Sequence, residues 1–271
     1  MMRVLLYVDG SHNSQWALQV ALLVCKHFET EITLLVGDGG KGADAQWLPQ
    51  ARDQLLAAAA GALREVTQPG PAEDAILAES TAHAYDLILL APAGRRGLSR
   101  LLHGSRVAQV VRQSKTSVLV ARTPLTDIRR MMVSIGGTRQ SLEMVEVAAQ
   151  WAQALSARAI VLHVVSQLPL FFQGLTAEEG HLTEDEMLAI ESEAREVLQE
   201  AIRILREANA FDHLMLREGL LEERVLAAVE EENIDLLVLG ANAASGVNRL
   251  LLDDLCSRLV QKSPITTLVV R

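Results

Sequence analysis

Aromatic side chains make up only 3% of this chain, and cysteine occurs only twice in its 271 residues. With so few rings, leucine, valine, isoleucine and alanine must fill the interior. An apolar share of 49% supplies enough of them for sizeable cores. Cys25 and Cys256 are too distant in sequence to make a metal-type pair, and both fall on apolar helical patterns. Buried, reduced thiols in a cytoplasmic protein are therefore expected. No apolar run approaches the roughly 18 residues that would cross a bilayer, so no membrane partner is expected. The opening residues, Met-Met-Arg-Val-Leu-Leu-Tyr-Val-Asp, lack the anatomy of an export signal, because their apolar run is short and ends at an acid. An excess of basic charge is missing too. The net charge of −9 argues against a general nucleic-acid binder. There is no Gly-x4-Gly-Lys-Ser/Thr motif, so an ordinary P-loop NTPase is not expected.

What is present is a repeat. Tyr85-Asp-Leu-Ile-Leu-Leu-Ala91 matches Ile234-Asp-Leu-Leu-Val-Leu-Gly240 at an offset of 149 positions. The same offset pairs Gly70 with Gly219, Ser114 with Ser263 and Arg122 with Arg271. Near the start the offset is 127, where Val8-Asp-Gly-Ser11 matches Ile135-Gly-Gly-Thr138. The second copy thus carries 22 additional residues, placed near 166–191 and including Phe171 and Phe172. Two similar domains are expected, 1–122 and 128–271, joined by a short linker at 123–127 that contains Pro124. The two phenylalanines are expected to cover their own domain, or else to form a docking patch for another chain.

Each copy alternates short apolar runs with helical periods. In the first, strands are expected at Val4–Val8, Ile32–Val36, near Val66, at Leu87–Leu90 and at Ser117–Ala121. Helices are expected at about Ser14–Phe28 with Ser14 as N-cap, Gln50–Glu65, Ala72–Ala84 and Ser105–Gln113. That alternation predicts an α/β fold with a mostly parallel sheet covered on both faces. In such sheets a ligand binds beyond the carboxyl ends of the strands, where the winding reverses. Asp9 ends the first strand, and the loop Ala91-Pro-Ala-Gly-Arg-Arg-Gly-Leu-Ser-Arg-Leu-Leu-His-Gly-Ser105 follows the fourth. If those strands are neighbours, the two share one crevice. Residues 91–106 carry four arginines and no acid, a charge of +4 that suits an anion at the start of a helix.

The strand-terminal Asp9-Gly10-Ser11, the order of elements and the spacing Ala91-x2-Gly94-x9-Gly104-Ser105 resemble the universal stress protein family, here in tandem over essentially the whole chain. Nucleotide-binding members carry Gly-x2-Gly-x9-Gly-Ser/Thr. Three of those four positions match, and Ala91 replaces the first glycine. The resemblance implies two similar open, Rossmann-like, mostly parallel five-stranded sheets of the adenine-nucleotide-binding type, with helices on both faces. It further implies that the closing strands of the copies pair, as an intrachain pseudo-dimer. By the same resemblance Asp9 and the backbone near Val36 would face adenosine. Ala91, Gly94, Gly104 and Ser105 would form the loop that holds the phosphates.

The second copy departs further. Gly136 stands where Asp9 would, and Asp253-Asp254 replaces Gly104-Ser105. An alanine forced into a left-handed conformation at position 91 would cost about 1–2 kcal/mol. A carboxylate about 4 Å from a phosphate would oppose binding by roughly 4 kcal/mol at an intermediate dielectric. One site, in the first domain, is therefore expected. Asp253 and Asp254 are read as a capping pair at a helix start, and His163 as a satisfied strand-end histidine. The halves differ in charge as well: residues 1–122 hold 12 basic and 11 acidic side chains, whereas the remainder holds 13 and 23.

The expected function is an ATP-binding regulatory protein of stress responses, with or without Mg2+, acting through nucleotide-dependent conformation or partner binding. Its partner is an adenine nucleotide, with a protein partner or homodimer open. No catalytic residues and no metal site are expected, although slow ATP hydrolysis or autophosphorylation stays open. The alternative is a nucleotide-free interaction scaffold whose loops are relics. A third reading, an adenylating enzyme, lacks a nucleophile–base set.

Overall fold

The computed structural model describes residues 1–37, 46–59, 63–92, 106–165, 192–241 and 247–271, with backbone alone at 192 and 247–254. The first repeat contributes β1 (Met2–Val8), α1 (His12–His27), β2 (Thr30–Val36), α2 (Leu48–Ala58), β3 (Arg64–Thr67), α3 (Ala72–Ala82), β4 (Leu87–Leu90), α4 (Arg106–Gln113) and β5 (Ser117–Val120). The second contributes β6 (Arg130–Ile135), α5 (Ser141–Leu155), β7 (Arg158–Val165), α6 (Ser192–Glu207), β8 (Phe211–Glu218), α7 (Leu221–Glu231), β9 (Leu236–Gly240), α8 (Val247–Lys262) and β10 (Thr266–Val270).

Two compact units result. One comprises Met1–Asp127 with Cys256–Val269 and Arg271; the other comprises Ile128–Leu255 with Val270. In the first unit the strands run in the order β3-β2-β1-β4-β5-β10. The first five are parallel. Val4 to Val8 are buried without alternation, as a parallel strand covered on both faces requires. In the second unit β9, β6, β7 and β8 are neighbours in that order and parallel.

The pairing expected of the closing strands is present. Strand β10 lies antiparallel to β5, with Leu268 opposite Leu119 and Val269 opposite Val118. The contacts around it are reciprocal. Arg122 N–H donates to Thr266 Oγ1 at 3.4 Å, and Arg271 N–H donates to Ser117 Oγ at 3.1 Å. The Arg122 side chain donates to the Val260 carbonyl, and the Arg271 side chain to the Val111 carbonyl. Each of these pairs is the 149-offset image of the other. The pairing also covers an apolar strand edge that would otherwise be free to aggregate.

Matched residues do matched work in both repeats. Asp86 accepts from the Arg3 amide at 2.7 Å, and Asp235 accepts from the Arg130 amide at 2.9 Å. Ser114 and Ser263 each accept from the amide two residues on, closing the same turn before the last strand.

Three expected boundaries are corrected. Helix α1 starts at His12 with Ser11 as N-cap, not at Ser14, because Ser14 is buried and turned toward Asp9. Helix α2 ends at Ala58 rather than Glu65, because residues from Arg64 pair with β2 as a strand. Helix α8 begins at Val247, so Asp253 and Asp254 lie inside it and do not cap its start. No glycine interrupts this stretch, where the first repeat has Gly104, and leucines favour the helix. Neither cysteine is in a disulfide; Cys256 is buried, and Cys25 is half-buried beside the Thr30 hydroxyl. The insertion near 166–191, with Phe171 and Phe172, lies outside the described residues. Among the described residues no helix is long and apolar enough to cross a membrane.

Candidate functional site

Strand β1 is flanked by β2 on one side and β4 on the other. The chain winds outward through β2 and β3 in one direction and through β4 and β5 in the other. The point of reversal therefore lies between β1 and β4, where an α/β sheet opens a crevice at its carboxyl end. Asp9, Gly37 and Ala91 each follow directly on one of the strands β1, β2 and β4, so the topology brings them together.

Asp9 is held from two sides. Its Oδ1 accepts from the Ser11 amide at 3.1 Å, the Ser11 hydroxyl at 2.6 Å and the Ser14 hydroxyl at 2.6 Å. The Ser14 oxygen in turn accepts from the Asp9 amide at 3.1 Å. Gly10 makes this tight turn possible with a φ of 75°, a left-handed conformation that a Cβ would penalise. Asp9 Oδ2 accepts from Arg106 Nη1 at 2.5 Å.

Arg106 opens α4, and its guanidinium reaches back over the strand ends. Nη2 donates to the Ala91 carbonyl at 2.9 Å, and the cation lies 5.3 Å from the Tyr7 ring centroid. The side chains are 11% exposed for Arg106 and 17% for Asp9, so this is a largely desolvated ion pair. The Arg106 Nε is buried and has no hydrogen-bond partner among the described residues. Gly37 makes room for the aromatic part of the arrangement, because a Cβ there would overlap the Tyr7 hydroxyl.

Burial pushes the Asp9 carboxyl up, but the Arg106 charge and the hydrogen bonds from Ser11, Ser14 and Arg106 outweigh it. The net result is a fall from 3.8 to about 2. Two further contacts border the crevice. Asn13 Nδ2 donates to the Pro92 carbonyl at 3.1 Å, and Trp47 Nε1 reaches the Gly10 carbonyl at 3.4 Å.

Of the residues singled out from sequence, Asp9, Val36 and Ala91 meet at the ends of adjacent strands. The Val36 side chain is buried, which leaves its backbone as the part a ligand could meet. Ala91 is not among the residues with positive φ, so the left-handed strain considered for it does not arise. Gly94, Gly104 and Ser105 lie outside the described residues. Pro92 and Arg106, which bracket that segment, are both anchored at the crevice. Sequence reasoning did not assign Arg106 to Asp9, nor find Tyr7, Ser14, Gly37 and Trp47. The available signal was the acid-free run ending in Arg106; the partner of that arginine depended on strand order.

The second repeat keeps the frame and loses the charges. Gly137 has a φ of 77°, like Gly10. Thr138 Oγ1 and Ser141 Oγ, the counterparts of the Ser11 and Ser14 oxygens, lie 3.5 Å apart. The positions of Asp9 and Arg106 are filled by Gly136 and Leu255. His163, the counterpart of Val36, is buried and bonds through Nδ1 to the Ile135 carbonyl at 2.8 Å, the satisfied histidine expected of it. Among the described residues no cluster of three potential metal ligands occurs in either repeat.

Comparison with known proteins agrees with this architecture. The model of the universal stress protein family matches twice, at residues 1–122 and 127–271. A universal stress protein of Methanocaldococcus jannaschii is 26% identical over 143 residues, covering 53% of this chain and 82% of that protein. Universal stress protein A homolog 1 of Coxiella burnetii is 27% identical over 123 residues, covering 45% of this chain and 83% of its own. The crystal structure of a universal stress protein from Archaeoglobus fulgidus superposes with a TM-score of 0.71 at 19% identity, covering 100% of this chain and 96% of that one. At that identity the likeness speaks for the fold.

Proposed function

This chain belongs to the universal stress protein family, and from that premise we propose that its first repeat binds one adenine nucleotide, ATP, with or without Mg2+, and that the protein regulates stress responses through nucleotide-dependent conformation or partner binding. The observation that carries the reading is the buried Asp9–Arg106 pair at the switch point of the first sheet. The residues fit such a ligand. A carboxylate stands where ligand hydroxyl or amino donors would need an acceptor. A guanidinium whose buried Nε has no partner among the described residues stands where an anion would be neutralised. Gly94, Gly104 and Ser105 would supply backbone N–H groups and a hydroxyl to the phosphates. No chemical step is assigned to the site, and the nucleotide acts by biasing one conformation over another.

The second repeat would serve structure or partners. Both members of the ion pair are absent from it, and Asp253 and Asp254, inside α8, stand at the positions that Gly104 and Ser105 hold in the first repeat. One nucleotide per chain follows.

A second reading, a nucleotide-free scaffold, is favoured by one feature of the same site: both Asp9 oxygens already have partners within the protein. The two readings separate in one experiment. Protein purified without added nucleotide is denatured, and released nucleotide is identified by chromatography. ATP is then titrated calorimetrically into the stripped protein and into Gly104→Asp. About one adenine nucleotide per chain, lost in the variant, supports the ATP reading. Neither released nucleotide nor binding heat leaves the scaffold.

A further inference from the structure

The geometry points to Arg106 as the residue that tells a nucleotide from a nucleoside, by exchanging the Asp9 carboxylate for a ligand phosphate. The inference rests on the reading that the first repeat binds an adenine nucleotide.

The argument starts from the acceptors of Asp9. An ionised carboxylate offers about four lone-pair sites on two oxygens. Oδ1 already takes three donors from Ser11 and Ser14, all part of the turn that starts α1. Oδ2 is held by Arg106. A ligand donor that reaches Asp9 must therefore compete with a charge-assisted bond, the strongest held by this carboxylate.

Arg106 sets the terms of that competition. A guanidinium has five N–H donors and stays charged. Here one goes to Asp9 and one to the Ala91 carbonyl, its Nε has no partner among the described residues, and 11% of the side chain is exposed. Pulling it from Asp9 without a replacement would leave a buried cation unpaired, which is strongly unfavourable. A neutral nucleoside brings donors for Asp9 and no anion for Arg106. A phosphate brings the anion. It can accept from the guanidinium in a two-pronged geometry, conserving charge at the site and leaving Oδ2 free for the rest of the ligand. Arg106 stands directly after residues 93–105 in the chain, and the first turn of α4 contains no acid to compete for it. The second repeat has lost both partners together, Gly136 for Asp9 and Leu255 for Arg106, as expected if the pair works as a unit.

The test is a pair of calorimetric titrations, ATP and adenosine, into the full chain and into Arg106→Gln and Arg106→Lys, with melting curves to establish that each variant is folded. The wild type should favour ATP. Arg106→Gln should bind ATP about ten-fold or more weakly. It should also bind adenosine more tightly, because Oδ2 no longer has to be taken from a cation. Arg106→Lys keeps the charge without the fork and should show an intermediate preference. A merely structural arginine would move both affinities in the same direction. Parallel losses, or no change, overturn this assignment while ATP binding by the wild type still upholds the nucleotide reading. If Arg106→Gln does not fold, an unchanged ATP-to-adenosine ratio in Arg106→Lys overturns the assignment. A wild type that binds neither ligand overturns the nucleotide reading, and this inference with it.

Discussion

Asp9 and Arg106 are 97 positions apart in the chain and meet at 2.5 Å, one at the carboxyl end of β1 and the other at the start of α4. No local pattern brings them together. They meet because β1 and β4 are neighbours and α4 follows the segment that leaves β4. The same guanidinium also holds the Ala91 carbonyl at the end of β4, so one side chain ties together the ends of two adjacent strands.

The first prediction concerns acid stability. The folded Asp9 carboxyl titrates at about 2 against 3.8 for an unperturbed one. A depressed carboxyl pKa stabilises the fold fully above the unfolded value, and that contribution is lost as pH falls through the folded value. It should amount to about 2 kcal/mol at neutral pH. Urea melts of wild type and Asp9→Asn between pH 5 and pH 2 should converge as the pH drops across that window. A constant gap between them would show that folding does not lower the Asp9 carboxyl pKa.

Ser14 is buried and makes two bonds to Asp9, one from its hydroxyl and one to its oxygen. Ser14→Ala removes both and leaves the Asp9 amide without that acceptor. A loss of about 1–3 kcal/mol is expected in chemical denaturation, because a buried donor left unsatisfied costs more than a hydrogen bond is normally worth. Ser14→Thr, which retains the hydroxyl, should recover part of it.

Gly37→Ala tests the aromatic support of the cation. The added methyl overlaps the Tyr7 hydroxyl, so the ring must shift under the Arg106 guanidinium. ATP affinity should fall about ten-fold in calorimetry. Combining Gly37→Ala with Tyr7→Phe, which removes the overlapping oxygen, should restore most of it. Failure of the second change to rescue would place the effect elsewhere.

At the other end of the first sheet, Glu79 is a buried carboxylate fully occupied by neighbours. It accepts from the Tyr85 hydroxyl at 2.7 Å and Gln68 Nε2 at 3.3 Å, and it pairs with Arg64. Tyr85→Phe should cost about 1 kcal/mol by thermal unfolding and leave ATP binding unchanged, since Tyr85 precedes the amino end of β4 and its partner Arg64 opens β3. A change in affinity would link the two ends of the sheet.

The β5–β10 pairing makes the last prediction. Leu119 and Leu268 are opposite one another and buried. Leu119→Ala should destabilise by about 2–5 kcal/mol, whereas Leu119→Met, which conserves volume, should cost less than about 1.5 kcal/mol. Equal effects from the two would mean that packing at this register is not what holds β10 in place.

Much of this architecture is legible in the residues themselves. Apolar runs such as Leu87–Leu90 sit between helical periods, and their local periodicity is enough to mark parallel strands. The offset between Asp86 and Asp235 reveals the repeat, and the structure gives both aspartates the same backbone bonds. Helix ends were less legible. Ser14 looks like a cap by type, yet the carboxylate of Asp9 captures it and Ser11 starts the helix. Leucines flanking Asp253 and Asp254 carry α8 through positions where two acids in a row suggest its start.

The sequence by itself determined that the protein is two related α/β repeats, that only the first keeps an acid at its strand end, and that a basic, acid-free run follows the first repeat's fourth strand. These follow from short-range periodicity and from the bare presence or absence of charge. Tertiary structure decided that Arg106 is the partner of Asp9, that Tyr7 and Gly37 support the pair, and that β10 packs with the first repeat's strands. Those outcomes depend on which strands lie side by side. A desolvated charge must take the partner that the sheet places within reach, however far away it lies in the chain.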